Sequence, residues 1–197
     1  IDDIETIKFP ENNDIETTVN YNAKDSIFMD VMKRKAYLYG DAHVDYGDVT
    51  IDAAYIEVDW GKNEVFAKGI PDSSGTDTIG LPVFKDGDEV FTAREMRYNF
   101  VTEKGVISEV VTQEGEGFIH GETVKMNAEK ELFIGNAIYT TCNLEHPHFA
   151  IHSKKIKVIP DKVAVTGPFH IAVGDIQTPL GFVFGIFPFP KDETSGI

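Results

Sequence analysis

Five stretches of the sequence share one pattern of large and small residues, and this pattern restricts the fold more than any other feature. Each stretch opens with a large apolar residue and has a small residue two positions later. The opening residues are Tyr21, Ile51, Phe91, Ile119 and Ile151, and the small residues are Ala23, Ala53, Ala93, Gly121 and Ser153. A repeat of this kind predicts several copies of one supersecondary unit stacked on one another.

In four of the five stretches, apolar residues follow three and five positions after the small residue. These residues are Ile56 and Val58, Met96 and Tyr98, Val124 and Met126, and Ile156 and Val158, whereas the first stretch keeps only Phe28. Strict alternation would place the next inward residue two positions on, so the strand must change face after the small residue. A strand does this through a bulge or a bend. Each repeat therefore predicts a strand bent at a corner, then a turn and a return strand.

Stacked units of this kind predict an all-β fold, a β-jelly roll or V-shaped β-solenoid of bent strands around an apolar interior. The alternative is an ordinary β-sandwich whose strands are similar by chance. Helical periodicity is weak and predicts no helix longer than two turns. The segment from Ile70 to Val90, rich in Gly, Asp and Ser, predicts a loop. Residues 1–20 predict a flexible leader.

The charge of the chain excludes one class of partner. Lys and Arg number 18 and Asp and Glu number 33, which gives a formal net charge of −15. Nucleic acid binding requires a basic face, so nucleic acid is not an expected partner. No run of apolar residues approaches the 18 or so that a membrane-spanning helix needs.

The segment from Tyr139 to Pro160 holds the residues most able to carry chemistry. Cys142, His146, His148 and His152 lie close together, and the three histidines share the same strand parity. A His-x-His pair with a third His suits zinc or non-haem iron and is similar to a cupin site. However, Pro147 separates the first two histidines and no acidic residue follows them. Histidines in β structure are more often exposed or hydrogen-bonded than metal-bound, so we expect no metal.

The sequence gives little support for a catalytic or cofactor-binding site. Nucleophilic catalysis by Cys142 requires a thiolate with a positioned base, but no oxyanion-hole glycine motif accompanies it. No P-loop, Gly-x-Ser-x-Gly or dinucleotide fingerprint occurs, so we expect neither an enzyme nor a cofactor. The basic run from Lys154 to Lys157 indicates either a solvated strand face or a contact for an anionic head group.

Three features of the sequence resemble the LptD family of lipopolysaccharide-assembly proteins. The repeats, with Gly40 and Gly69 closing their units, resemble the OstA-like domain of lipopolysaccharide transport proteins. The segment "YTTC", Tyr139 to Cys142, with "PHFAI" after it, resembles the Cys segment of the family. The segment from Gly167 to Ile197 resembles the run that leaves the periplasmic domain and enters an outer-membrane barrel.

The resemblance implies both a domain plan and a function. Residues 21–180 would form an OstA-like β-jelly roll, and 181–197 a junction toward an outer-membrane β-barrel absent from this chain. The domain would lie at the periplasmic face of the outer membrane of a Gram-negative cell. It would receive lipopolysaccharide from the bridge protein LptA by β-strand augmentation and pass it to its own barrel, which works with LptE. Two alternatives remain: a stand-alone bridge protein of LptA type and a cupin-like metal-binding protein.

The apolar repeat positions are the candidate contacts for the lipid A acyl chains. The predicted groove lining comprises Ile51, Ile56, Val58, Phe91, Met96, Tyr98, Ile119, Val124, Met126, Ile151, Ile156 and Val158. The resemblance also places Cys142 where a family cysteine forms a disulfide with the barrel. A second N-terminal cysteine that is common in the family is missing here.

Overall fold

The computed structural model describes residues 19–87, 89–114, 117–142, 147–159, 162–174 and 176–188. Every element in these ranges is a β-strand, which confirms the predicted all-β fold class. No helix in these ranges is long and apolar enough to cross a membrane. The chain divides into two compact units, Ile1–Thr112 and Gln113–Ile197.

In the described part of the chain, the first unit contains eleven strands. They are β1 (Asn20–Asn22), β2 (Ser26–Asp30), β3 (Lys35–Tyr46), β4 (Val49–Asp59), β5 (Glu64–Lys68), β6 (Ile70–Pro71), β7 (Thr78–Ile79), β8 (Val83–Asp86), β9 (Glu89–Thr92), β10 (Glu95–Asn99) and β11 (Lys104–Glu114). Strands β3 and β4 are long and pair with one another. The antiparallel order is β1-β3-β4-β5-β10-β11. Strand β2 also pairs with β3, β8 pairs with β4 and β9, and β9 pairs with β11.

Strand β4 has the bend predicted for the second repeat. Its first arm, Val49–Asp52, pairs with β8, and its second arm, Tyr55–Asp59, pairs with β5. Between the arms, Ala53 and Ala54 are both buried, which breaks the alternation of inward and outward residues. At the corner the backbone N–H of Ala54 donates to the carbonyl of Gly80 at 2.8 Å. The predicted change of face is confirmed in this repeat.

The return strands accommodate the corners with residues of positive φ. In β3, Gly40 and Asp41 have φ values of 74° and 40°, and the register with β4 shifts between Tyr39 and Ala42. This is a β-bulge, in which one strand contains an extra residue. Glu109 in β11 also has a positive φ, 52°, although left-handed backbone is uncommon for such a residue.

The first repeat does not follow the common pattern. Phe28 is 60% exposed and stacks on Tyr37 with a ring-centroid distance of 6.0 Å. Its strand, β2, pairs only with β3 among the described strands. Phe28 therefore lies at an edge of the described sheet, where no other described strand pairs with β2.

The prediction of a loop from Ile70 to Val90 is wrong for much of this segment. It contains β6, β7 and β8 and the start of β9, and the Phe84 side chain is 1% exposed in the core. Glycines of positive φ at Gly75, Gly80 and Gly87 supply the tight turns between these short strands. Turn residues dominate the composition of the segment, so they conceal the four-residue strand β8.

The second unit contains seven strands. They are β12 (Gly117–Met126), β13 (Leu132–Thr140), β14 (Phe149–Ile159), β15 (Val163–Thr166), β16 (Phe169–Val173), β17 (Ile176–Phe182) and β18 (Gly185–Pro188). The antiparallel order is β12-β13-β14-β15-β18, and β16 pairs with β14 and β17. The first arm of β14, Phe149–Ser153, pairs with β16, and the second arm, Ile156–Ile159, pairs with β15. The bend predicted near Ser153 is therefore confirmed.

Candidate functional site

The predicted groove residues of the first unit form its apolar interior. Ile51, Ile56, Val58, Phe91, Met96 and Tyr98 have exposed fractions of 0% to 4%. An aromatic cluster fills the space between them, because the Phe84 ring lies 6.1 Å from that of Phe91 and 5.3 Å from that of Tyr98. Burial raises the pKa of Tyr98, and the nearby Asp86 charge adds to the shift. The phenol is therefore neutral at physiological pH, which suits an apolar interior.

The predicted groove residues of the second unit lie in two cross-strand rows. Val124 pairs with Ile134, which pairs with Ile156. Met126 pairs with Leu132, which pairs with Val158. The five predicted residues Ile119, Val124, Met126, Ile156 and Val158 are all buried, whereas Ile151 is half-buried.

Most of the predicted groove residues are out of reach of solvent in this structure. Neighbouring side chains therefore cover them, as in the interior of a folded protein. A lipid chain could reach them only if strands moved apart. Contact between these residues and lipid therefore stays a prediction.

Several large core residues were not predicted, and Leu38 and Phe84 illustrate why. Leu38 and Phe84 are fully buried beside the predicted positions. The signal for Leu38 is the alternation in "KAYLYG", where Ala36 and Leu38 share one face of the return strand β3. Phe84 carries no such signal, because its strand is short and lies between turns.

The Cys-His segment brings only two of its residues together. The Cys142 Sγ lies 3.8 Å from His148 Nδ1, and the Cys142 N–H donates to Thr140 Oγ1 at 3.0 Å. The Thr140 hydroxyl donates in turn to the Phe149 carbonyl at 2.7 Å, which fixes this turn to the start of β14. His146 lies outside the described residues. Among those described, no group of three or more His, Cys, Asp or Glu residues could hold a metal ion.

His152 instead pairs with a histidine that sequence analysis did not select. It lies opposite His170 in the register of β14 and β16, and the two rings stack with centroids 5.2 Å apart. Burial lowers the pKa of His152, and His170 lowers it further. Only the strand register brings these residues together, so the sequence spacing gave no signal.

The C-terminal end of the described chain carries a surface that we name the C-terminal apolar strip. It comprises Leu180, Phe182, Val183, Phe184, Ile186 and Phe187, with exposed fractions of 40% to 78%. No charged residue occurs from Ile176 to Pro188, in a chain whose net charge is −15. The Phe182 ring stacks on Phe169 with centroids 5.3 Å apart, and the Phe187 ring meets Phe169 edge-on at 5.9 Å, which anchors the strip to β16. Contiguous exposed apolar surface of this kind marks a site of protein or lipid contact.

Comparison with known proteins found one family that the C-terminal end of the chain matches. Residues 164–197, which include the C-terminal apolar strip, match the family model described as LptD protein. None of the curated proteins compared with the chain matches it.

Among solved structures, the chain is similar to LptH of Pseudomonas aeruginosa, described as the LptA-homologous periplasmic component of the lipopolysaccharide transport device. The TM-score is 0.50 and the sequence identity 16%, over 62% of this chain and 85% of LptH. This likeness shows the fold, the β-jelly roll of LptA-like proteins. At its C-terminal end the chain is also similar to the LptD family, whose model it matches over residues 164–197.

Proposed function

We propose that this chain is a periplasmic lipopolysaccharide-binding and transfer domain of LptD type, located at the periplasmic face of the outer membrane of a Gram-negative cell. The observation that carries the proposal is the C-terminal apolar strip, which lies within the residues that match the LptD model. An exposed strip without charge is where a domain of this kind would continue into its barrel. The role is that of a carrier, without a catalytic step or a cofactor.

The interior supplies the proposed binding site for the acyl chains. Each CH₂ group that moves from water into an apolar interior contributes about 0.8 kcal/mol, so a long acyl chain gains enough to offset the separation of packed strands. Val124, Met126, Ile156 and Val158 are aliphatic or flexible side chains that can repack around a chain. The charged residues between them, such as Lys125, lie on the opposite face and stay in water.

The edge strand β2 is the proposed contact for the bridge protein. Among the described strands it pairs only with β3, so one row of its backbone N–H and C=O groups lacks a strand partner. Ile27 and Phe28 on this strand are 37% and 60% exposed. Such an edge accepts a strand from another chain by β-augmentation.

The LptH-like fold favours a second candidate, a stand-alone bridge protein of LptA type. The gene distinguishes the two candidates. A reading frame that continues past Ile197 for several hundred residues of alternating strands selects the LptD type. A stop codon soon after Ile197 selects the bridge protein.

Site-specific photocrosslinking tests the binding site. A photoreactive residue in place of Met96 or Met126 should capture lipopolysaccharide in cells, because both side chains point into the apolar interior. Lys125 is the matched control, since it neighbours Met126 in β12 and is exposed on the opposite face. Circular dichroism of each variant establishes that it is folded. Equal labelling at Met126 and Lys125 would contradict the assignment of the interior as the binding site.

A further inference from the structure

A row of histidines crosses the sheet of the second unit. His120 in β12 lies opposite Ile138 in β13, and Ile138 lies opposite His152 in β14. His152 in turn lies opposite His170 in β16, and His170 opposite Gly181 in β17. Side chains at directly paired positions share one face of a sheet, so this row lies on the face opposite to that of Ile119.

Two of these histidines line an open pocket of about 490 Å³, a size typical of small-molecule sites. We name it the His152–His170 pocket. Its other lining residues are Asn136, Ala137, Ile138, Ser153, Lys154, Pro168 and Phe169. The side chains of Ile138, Pro168 and Phe169 give it an apolar wall, and the histidines and Lys154 give it nitrogen donors.

The pocket contains a polar atom whose hydrogen bonding is incomplete. The Nε2 atom of His170 is buried and has no hydrogen-bond partner. A buried ring nitrogen without a partner loses its hydration with no compensation. The atom is closed to solvent in this structure, so a ligand in the pocket could bond to it, and recover that energy, only after the His170 ring turns toward the pocket. The other polar groups nearby are already engaged, because Asn136 donates to the Glu122 carboxylate and Ser153 donates to the Lys155 carbonyl.

The charges around the pocket favour an anion over a metal ion. Lys154 is exposed at its rim and forms no ion pair with any described residue. The His152 and His170 rings are stacked, with an interplanar angle of 11°, so their nitrogen lone pairs do not converge on one point. His120 lies two strands from His152, roughly 10 Å away, too far to complete a metal site.

We propose that the His152–His170 pocket binds a phosphate group, which accepts hydrogen bonds from the imidazole N–H groups of His152 and His170 and from the Lys154 ammonium. A tetrahedral anion presents oxygens in several directions and so matches donors that lie on different sides of the pocket. The two histidines of the site lie on the face of the sheet opposite to Ile119, a predicted acyl-chain contact. The site does not depend on the proposed function.

Phosphate binding should be coupled to proton uptake. Two stacked imidazolium rings repel one another, and a bound anion offsets that repulsion. Burial holds the pKa of His152 below its ordinary value, so at neutral pH the free pocket is uncharged at that ring. Affinity should therefore rise as the pH falls toward and below 6.5. Three other titratable groups lie near the pocket: His120 and Glu122 on β12 and Lys154 on β14. The residues that β13, β17 and the Gly167–Pro168 turn place near the pocket carry no charge.

NMR of the histidine rings in the full chain, titrated with inorganic phosphate, tests the proposal. Phosphate should shift the ring signals of His152 and His170 and leave those of His43, which is hydrogen-bonded to Asp52 in the first unit, unchanged. Lys154→Gln should weaken binding about tenfold, the effect of losing one charge-assisted hydrogen bond. Lys155→Gln, one residue away and outside the pocket, should change it less than about twofold. Sulfate, whose charge is constant over this range, should show the same rise in affinity at lower pH.

Three outcomes would overturn the proposal: no shift of the His152 and His170 signals, equal effects of Lys154→Gln and Lys155→Gln, or tight binding of zinc that abolishes the phosphate response.

Bicelles containing phosphatidic acid, compared with bicelles of phosphatidylcholine alone, identify the source of the phosphate. Competition by phosphatidic acid indicates a lipid head group. A response to inorganic phosphate alone supports the same site with a soluble ligand. A His170→Asn variant that retains its fold but loses the response gives an independent confirmation.

Discussion

Cys142 lies just after β13, and hydrogen bonds hold its backbone close to the ends of β13 and β14. Its N–H donates to Thr140 Oγ1, and the Thr140 hydroxyl donates to the Phe149 carbonyl. Its thiol is half-buried and contacts His148. If the protein is of the proposed LptD type, a cysteine that is held in place but reachable from solvent is well suited to form a disulfide with the barrel.

We predict that Cys142 forms a disulfide with a barrel cysteine in the full-length protein. The periplasm is oxidising. A bond that closes a loop of several hundred residues stabilises the docked arrangement by about 5–6 kcal/mol in the chain-entropy model. On a non-reducing gel, full-length protein cleaved near Ile197 should stay joined. It should separate after reduction or after Cys142→Ser. Separation without reductant, with Cys142 open to alkylation, would show that the tether does not exist.

At the scale of the element, the corner of β4 depends on the close approach of Gly80. Gly80 has a φ of +61°, and a Cβ atom on it would lie 2.5 Å from the Cβ of Ala54. The Ala54 N–H donates to this same residue. The corner therefore needs a glycine opposite a small residue, both for the backbone angle and for the space.

We predict that Gly80→Ala lowers the free energy of unfolding by about 2–4 kcal/mol, from left-handed strain plus overpacking at the corner. Gly47→Ala is the matched control, because Gly47 also has a positive φ, +59°, but no atom lies within 4 Å of its added Cβ. It should cost only about 1 kcal/mol. Urea denaturation of the two variants measures the difference. Equal losses would mean that the corner has room for a side chain.

The bent strands were predictable because their pattern is local. In β4, small Ala53 and apolar Ile56 and Val58 mark the corner and the inward face within a few residues. Strand β8 was not predictable, because Phe84 is buried by pairing with β4, more than thirty residues earlier. The His152–His170 pair was missed for the same reason, since it exists only through the register of two strands.

At the scale of the whole molecule, the excess of acidic residues is the dominant electrostatic feature. A net charge of −15 over 197 residues makes like charges repel one another in the compact state. The exposed ion pairs of the chain, such as Lys24 with Asp41 and Arg94 with Glu109, are too solvated to contribute much against this repulsion.

We predict that salt stabilises the folded chain. Raising the ionic strength from about 0.01 M to about 0.15 M shortens the Debye length from about 30 Å to about 8 Å and screens the repulsion. The thermal unfolding temperature should therefore rise with NaCl at pH 7. The rise should be smaller near pH 4.7, the isoelectric point of the sequence. A fall with salt at pH 7 would indicate that ion pairs outweigh repulsion.

The bent strands also affect how a ligand could reach the buried apolar residues of each unit. The two arms of β14 belong to different ladders, one with β16 and one with β15, and the arms of β4 are divided in the same way. Cooperative opening can therefore stop at a corner, since detaching one arm leaves the hydrogen bonds of the other arm intact. Each arm is a candidate unit of local unfolding, with a free energy well below that of the whole fold. Under the proposed function, an acyl chain would then enter past one detached arm at a time, while the rest of the fold stays assembled.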